Sequence, residues 1–292
     1  MTHIPVLLKE TIDILGIKNG DKVIDATFGG GGHTAAILDN YDCYVLGVDR
    51  DQDAIKRAEK VKEKFGGKFD FKICNFSNLS DILSGKFDAI LFDFGVSSFQ
   101  LDNAERGFSF SKDGRLDMRM TKEKGISAFY VVNTFSEEDI AEIIWKYGEE
   151  PKARKIASEI IQSRKTKKIE TTLQLKQIIS KVFVNRTCLK IDVATKTFQA
   201  IRIYVNDELR EIDLALKGLP NILNVGARVA TISFHSLEDK IVKNWSKSVT
   251  YAQPINKSPI KPTRDEILKN PRSRSAILRG FLYIDNRKER LN

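Results

Sequence analysis

Four consecutive glycines, Gly29 to Gly32, lie between the stretch Val23-Ile24-Asp25-Ala26-Thr27-Phe28 and His33. Lacking a Cβ, such residues take positive φ and let another molecule approach the backbone. The pattern Thr34-Ala35-Ala36-Ile37-Leu38 continues as a helix. Its first N–H groups and its dipole would point at whatever lies over the turn. A strand, a glycine turn and a helix start make a nucleotide-type cofactor site. Three further residues suit such a site: the carboxylates Asp49 and Asp93 and the ring of Phe76.

Each of them falls at the carboxyl end of an expected strand. The strands read as Lys22–Ala26, Cys43–Asp49, Phe69–Cys74 and Phe87–Asp93, separated by helical patterns that include Gln52–Lys64. Alternating strands and helices with continuous apolar strands predict an α/β fold, a parallel sheet covered on both faces. Ligands of such sheets sit beyond the carboxyl ends of the strands, near the switch point. Before the first strand, Pro5–Leu15 reads as an amphipathic helix, and His3 in the tail ahead of it reads as an ordinary exposed histidine.

After Asp93 the rhythm breaks into loop-like sequence and then into helical patterns over Ser136–Tyr147, Pro151–Ser163 and Thr172–Phe183. A longer helix over Thr197–Leu216 leads to a fifth strand at Ala227–Phe234, a helix at Leu237–Trp245 and a last strand at Ala276–Ile284. Residues 246–275, rich in Ser, Pro, Lys and Arg, read as a long basic loop. The resulting organisation is a discontinuous α/β domain, residues 1–108 and 206–292, carrying an inserted helical domain at 109–205.

A length of 292 residues allows a substantial core, and the composition is that of a globular protein. No apolar run is long enough to span a membrane, and the N-terminus has no basic-then-apolar signal pattern. Cys43, Cys74 and Cys188 are too scattered for a disulfide frame or a zinc site. These features predict a cytoplasmic protein without a metal. The net charge of +9 suggests a polyanionic partner, and its basic residues concentrate over 152–196 and 257–290.

The pattern Gly30-x-Gly32-x-x-Ala35 with an acidic residue ending strand two suits either a dinucleotide or S-adenosylmethionine. Strand four then ends in Asp93-Phe94-Gly95-Val96, which is similar to the Asp-Pro-Pro-aromatic element of amino methyltransferases. Further blocks follow in order: Gln100-Leu101-Asp102, Glu105-Arg106-Gly107-Phe108-Ser109-Phe110, Leu116-Asp117-Met118-Arg119-Met120, Phe198-Gln199-Ala200-Ile201-Arg202-Ile203, Ser233-Phe234-His235-Ser236-Leu237-Glu238-Asp239 and Asn270-Pro271-Arg272-Ser273-Arg274. Together they resemble the bacterial small-subunit ribosomal RNA cytosine-N4 methyltransferase family, the MraW or RsmH type, over nearly the whole chain.

The resemblance implies a Rossmann-like class I S-adenosylmethionine methyltransferase with an inserted all-helical, RNA-recognising domain. It implies methylation of a decoding-centre cytidine on N4, within an assembled or assembling small subunit. It also carries over Gly31, Gly32, His33, Asp49, Phe76, Asp93 and Gln100 as cofactor contacts. Arg115 departs from the family's usual proline, and Asp192-Val193 departs from its His-Pro.

Methyl transfer from a sulfonium is a direct displacement that needs no metal and depends mainly on orientation. Cytosine N4 is a poor nucleophile, because its lone pair is delocalised into the ring. Asp93, or the carbonyl of Phe94, is the candidate acceptor for its hydrogens, and the rival role for Asp93 is to hold the cofactor. Asp49 suits ribose hydroxyls or a helix cap before Gln52. His33, at a helix start, is expected to be neutral and structural or cofactor-facing. A target base in structured RNA must be unstacked. Phe94, Phe108, Arg119, His235, Arg272 and Arg274 are the candidate substrate contacts, with Phe99 and Phe110 as further rings for stacking. The rivals are a nicotinamide-dependent oxidoreductase and a non-catalytic ribosome-assembly factor.

Overall fold

A computed structural model describes residues 5–183 and 192–284; His3 and Cys188 lie outside the described residues. In chain order the elements are α1 (Leu8–Leu15), β1 (Lys22–Asp25), α2 (Gly32–Asn40), β2 (Tyr44–Asp49), α3 (Ile55–Phe65), β3 (Phe69–Ile73), α4 (Leu79–Ile82) and β4 (Phe87–Asp93). Next come α5 (Ser98–Asp102), α6 (Ala128–Thr134), α7 (Glu137–Gly148), α8 (Ala153–Thr166), α9 (Thr172–Lys181) and α10 (Thr195–Asn206). The chain continues through α11 (Glu208–Ile222), β5 (Leu223–Ser233), α12 (Ser236–Ser248), β6 (Ala252–Pro254), α13 (Arg264–Lys269) and β7 (Ile277–Tyr283). Two compact units result: Met1–Gly95 with Leu209–Asn292, and Val96–Glu208.

The first unit is built on a seven-stranded sheet of order β3-β2-β1-β4-β5-β7-β6. The strands from β3 to β5 pair in parallel, and β7 runs antiparallel to both β5 and β6. This is the Rossmann-like class I methyltransferase topology. The sheet is buried on both faces because alternate residues of its inner strands go to opposite cores. Val23, Ala89 and Leu91 pack with α1, α2 and α3, while Ile24, Ile90 and Phe92 pack with α4, α11 and α12. Strand order reverses between β1 and β4, so the ends of β1, β2 and β4 share one rim.

The second unit is helical. Phe108, Leu116, Met118, Ile140, Ile144, Ile156, Ile160, Ile179, Phe198 and Ile201 form its core. Among its described residues the only β pairing is an isolated bridge between Arg115 and Thr171.

The structure departs from the sequence reading at several elements. The helix expected over Thr197–Leu216 is two helices, because Asp207 takes φ 51° and ends α10. The side chain of Asn206 is meanwhile committed to the loop, donating to the Met118 carbonyl at 2.7 Å and accepting from the Met120 amide at 2.8 Å. The stretch 246–275 is not one loop: it holds the end of α12, β6, α13 and a 3-10 turn at Pro271–Ser275. Thr263 caps α13 by accepting from the Glu266 amide. The first helix begins at Leu8 rather than Pro5, because Leu7 is left-handed at φ 51°.

Candidate functional site

The glycine turn is held by β2. The Gly29 amide donates to Asp49 Oδ2 at 2.9 Å, and Arg57 Nε donates to the Gly29 carbonyl at 2.7 Å. Asp49 Oδ1 accepts from the Asp51 amide at 2.9 Å. Burial raises the Asp49 carboxyl above the ordinary carboxylate range despite these two amides. The cap before Gln52 is Asp51, which accepts from the Asp53 amide, so Asp49 does not cap that turn itself. Gly31 takes φ +74°, and a Cβ there would meet the Phe28 ring at 2.6 Å. A Cβ on Gly32 would meet the Pro5 ring at 2.5 Å. The bareness of these two glycines is thus used by the protein's own packing, where the sequence suggested room for another molecule.

Asp25, which the sequence reading did not single out, ends β1 beneath this turn and is 1% exposed. It accepts from Thr34 Oγ1 at 2.7 Å and from the Thr27 amide, and so pins the start of α2 to the sheet. Burial pushes its carboxyl up to about 6. The available signal was a carboxylate inside an apolar strand, where an acid is not expected without a partner.

Asp93 sits at the end of β4, where its amide donates to Thr27 Oγ1 at 2.7 Å. Its Oδ1 is buried and has no hydrogen-bond partner among the described residues. Its Oδ2 is 3.9 Å from His33 Nδ1. Burial, with the nearby charges of Asp25 and Glu238, raises its carboxyl well above the ordinary value. His33 is buried within the first turn of α2. Phe76 opens the turn after β3, half-buried, with its ring edge-on to Phe92 at 5.8 Å. The structure therefore brings the glycine turn, His33, Asp49 and Asp93 into one bonded neighbourhood, with Phe76 at the end of the next strand.

Other expected contacts are placed differently. The Phe94 ring is 2% exposed and stacks on Phe92 at 5.6 Å, so it belongs to the core and cannot stack on a base. Phe108 is likewise buried, in the core of the helical unit. His235 does not turn outward. It caps α12, its Nδ1 accepting from the Glu238 amide at 3.4 Å and its Nε2 lying 3.2 Å from the fully buried Glu238 carboxylate. Glu238, read only as part of a motif, also accepts from the Phe234 amide at 2.7 Å.

Gln100, in the helical unit, is buried and closes a capping box with Ser97. Arg119 grips Asp117 with two hydrogen bonds of 2.8 Å, beside a cavity of ≈ 490 Å³ lined also by Arg115, Ser127, Phe129 and Thr171. The Arg115 carbonyl accepts from the Asp117 amide at 3.0 Å, and Arg115 forms the isolated bridge with Thr171. Arg272 and Arg274 are both exposed on the turn at Pro271–Ser275.

The model of a family described as the MraW methylase family matches residues 1–283. The chain belongs to this family. A relative from Ehrlichia chaffeensis, named ribosomal RNA small subunit methyltransferase H, is 48% identical over 296 residues, which cover 97% of this chain and all of that protein. A relative of the same name from Rickettsia bellii is 45% identical over 293 residues, covering 98% of this chain and 93% of that protein. Family membership therefore spans both compact units. Among the described residues, no helix is long and apolar enough to cross a membrane.

Proposed function

We propose that this chain methylates the N4 amine of a cytidine in the decoding centre of small-subunit ribosomal RNA, in the cytoplasm and within an assembled or assembling subunit. It is an S-adenosylmethionine-dependent methyltransferase; neither the oxidoreductase nor the non-catalytic assembly factor is favoured. The supporting observation for the chemistry is the buried Oδ1 of Asp93, an acceptor left without a partner at the rim of the sheet. A buried acceptor in that condition is costly unless a ligand uses it.

The residues present fit the cofactor. Asp49 would take the ribose hydroxyls, Phe76 would cover one face of the adenine, and the glycine turn with His33 would line the remainder. S-adenosylmethionine, when bound, supplies an electrophilic methyl carbon.

The chain's own groups do the rest. Asp93 Oδ1, or the Phe94 carbonyl, accepts a hydrogen of N4 and so favours the pyramidal amine whose lone pair can react. Burial and the nearby carboxylates of Asp25 and Glu238 raise the Asp93 carboxyl, and it is the deprotonated form that can take a proton from N4. Arg272 and Arg274 suit the phosphate backbone, and the helical unit offers Arg115 and Arg119 beside its cavity. Calorimetry of the purified chain is the direct test of the cofactor: S-adenosylmethionine should bind at one site, and a pyrophosphate dinucleotide should not. Binding of the dinucleotide alone would overturn the reading.

A further inference from the structure

The segment Pro5–Leu7 crosses the start of α2, with two contacts to that helix and a third to α13. The Pro5 ring fills the space beside Gly32. The Val6 carbonyl lies 3.2 Å from His33 Nε2. The Leu7 amide donates to Glu266 Oε1 at 2.7 Å, over a sequence separation of 259 residues. Leu7 itself takes φ 51°, a strained conformation for a branched side chain, and persists because its neighbours over-determine it. Its side chain is 1% exposed, and its carbonyl accepts from the Thr11 amide at 2.8 Å. Glu266 occupies the third position of α13, where a glutamate could close a capping box with Thr263. Its carboxylate is spent on Leu7 instead.

A backbone carbonyl can only accept, so the contact with Val6 requires the proton of the His33 ring on Nε2. In the neutral ring, which its place at a helix start favours, Nδ1 is then the accepting nitrogen, and Nδ1 is the atom turned toward Asp93 at 3.9 Å. We infer that Glu266 is a positioning residue: through the backbone of Leu7 and Val6 it holds His33 in the Nε2–H form, with the accepting nitrogen directed at Asp93. The consequence for the reaction is that Asp93 faces a fixed acceptor rather than a competing donor. Its Oδ1 then stays directed at the substrate amine. This rests on the reading of the rim as the methyl-transfer site, whereas the placement of the ring proton does not.

The experiment uses the full chain without cofactor, labelled with ¹⁵N-histidine, and reads the tautomer of His33 by long-range ¹H–¹⁵N correlation. His33→Gln supplies the assignment. Wild type should show the Nε2–H pattern. Glu266→Ala should shift both ring nitrogens toward averaged values, and Glu266→Gln, which keeps an oxygen acceptor for the Leu7 amide, should restore the wild-type pattern. In turnover assays Glu266→Ala should lose roughly tenfold to a hundredfold in kcat, with the KM for S-adenosylmethionine changed far less. An unchanged His33 tautomer in Glu266→Ala would overturn the inference. A shifted tautomer in a protein that never methylates RNA would instead retain it and remove the functional reading.

Discussion

The Gly29 amide donates to Asp49 Oδ2 at 2.9 Å, so the carboxylate that ends β2 also sets the shape of the glycine turn after β1. One side chain thereby couples two parts of the proposed cofactor site. Asp49→Ala should lower affinity for S-adenosylmethionine by at least about tenfold, the loss of a charged hydrogen bond. The far-UV spectrum should stay native. Isothermal titration of the variant measures this, and undiminished affinity would exclude Asp49 from the site.

Asp93 is the residue for which two roles compete. Asp93→Asn should retain cofactor affinity within a few-fold and lose turnover by about 10²-fold or more, the range of a positioned acid–base group. Titration and single-turnover kinetics on the same preparation separate the outcomes. If binding collapses in parallel with turnover, Asp93 holds the cofactor and the amine acceptor lies elsewhere.

Much of this rim was legible in the sequence because each residue ends an apolar strand, and strand ends in a parallel sheet converge. Asp49 and Asp93 were found in that way. Asp25 was not, because it stands in the same kind of run but bonds downward to Thr34 and Thr27. Aromatic and histidine positions were the hardest to read. Phe94 and Phe76 both follow a strand and both pack on Phe92, yet Phe94 stacks on that ring within the core and Phe76 meets it edge-on and stays half-buried. His235 looked like a loop residue after β5, and only the recurrence of Glu238 three residues later signalled a helix cap. The left-handed Leu7 was invisible, since leucine does not announce positive φ, and Asp207, of a type that tolerates it, stood inside a continuous helical pattern.

Asp25 makes a pH prediction. Its carboxyl sits at about 6 in the folded chain against an ordinary 3.8, so the folded state holds the proton more tightly than the unfolded state. The associated stability is fully present below the unfolded value and is lost as pH rises through the folded one. At about 1.4 kcal/mol per pKa unit, the loss is on the order of 3 kcal/mol. Urea unfolding of the unliganded chain should show this decline between pH 4 and 6.5, roughly, and Asp25→Asn should flatten it. An equal slope in the variant would assign the decline to other groups.

Arg272 and Arg274 are exposed on a short turn, which suits contact with phosphates. Replacing both by alanine should weaken binding to small-subunit RNA and reduce the slope of log K against log salt by about 1 to 2. Filter binding across a salt series measures both quantities, and an unaltered slope would place the RNA contacts elsewhere.

The proposed transfer of a methyl group to N4 of a ribosomal cytidine can be measured directly. Small subunits from cells lacking this protein can be incubated with the purified chain and isotopically labelled S-adenosylmethionine, and their RNA digested for nucleoside mass spectrometry. Label is expected in N4-methylcytidine at one decoding-centre position, and none with Asp93→Asn. Label confined to another nucleoside, or a wild-type chain that transfers none, would contradict it.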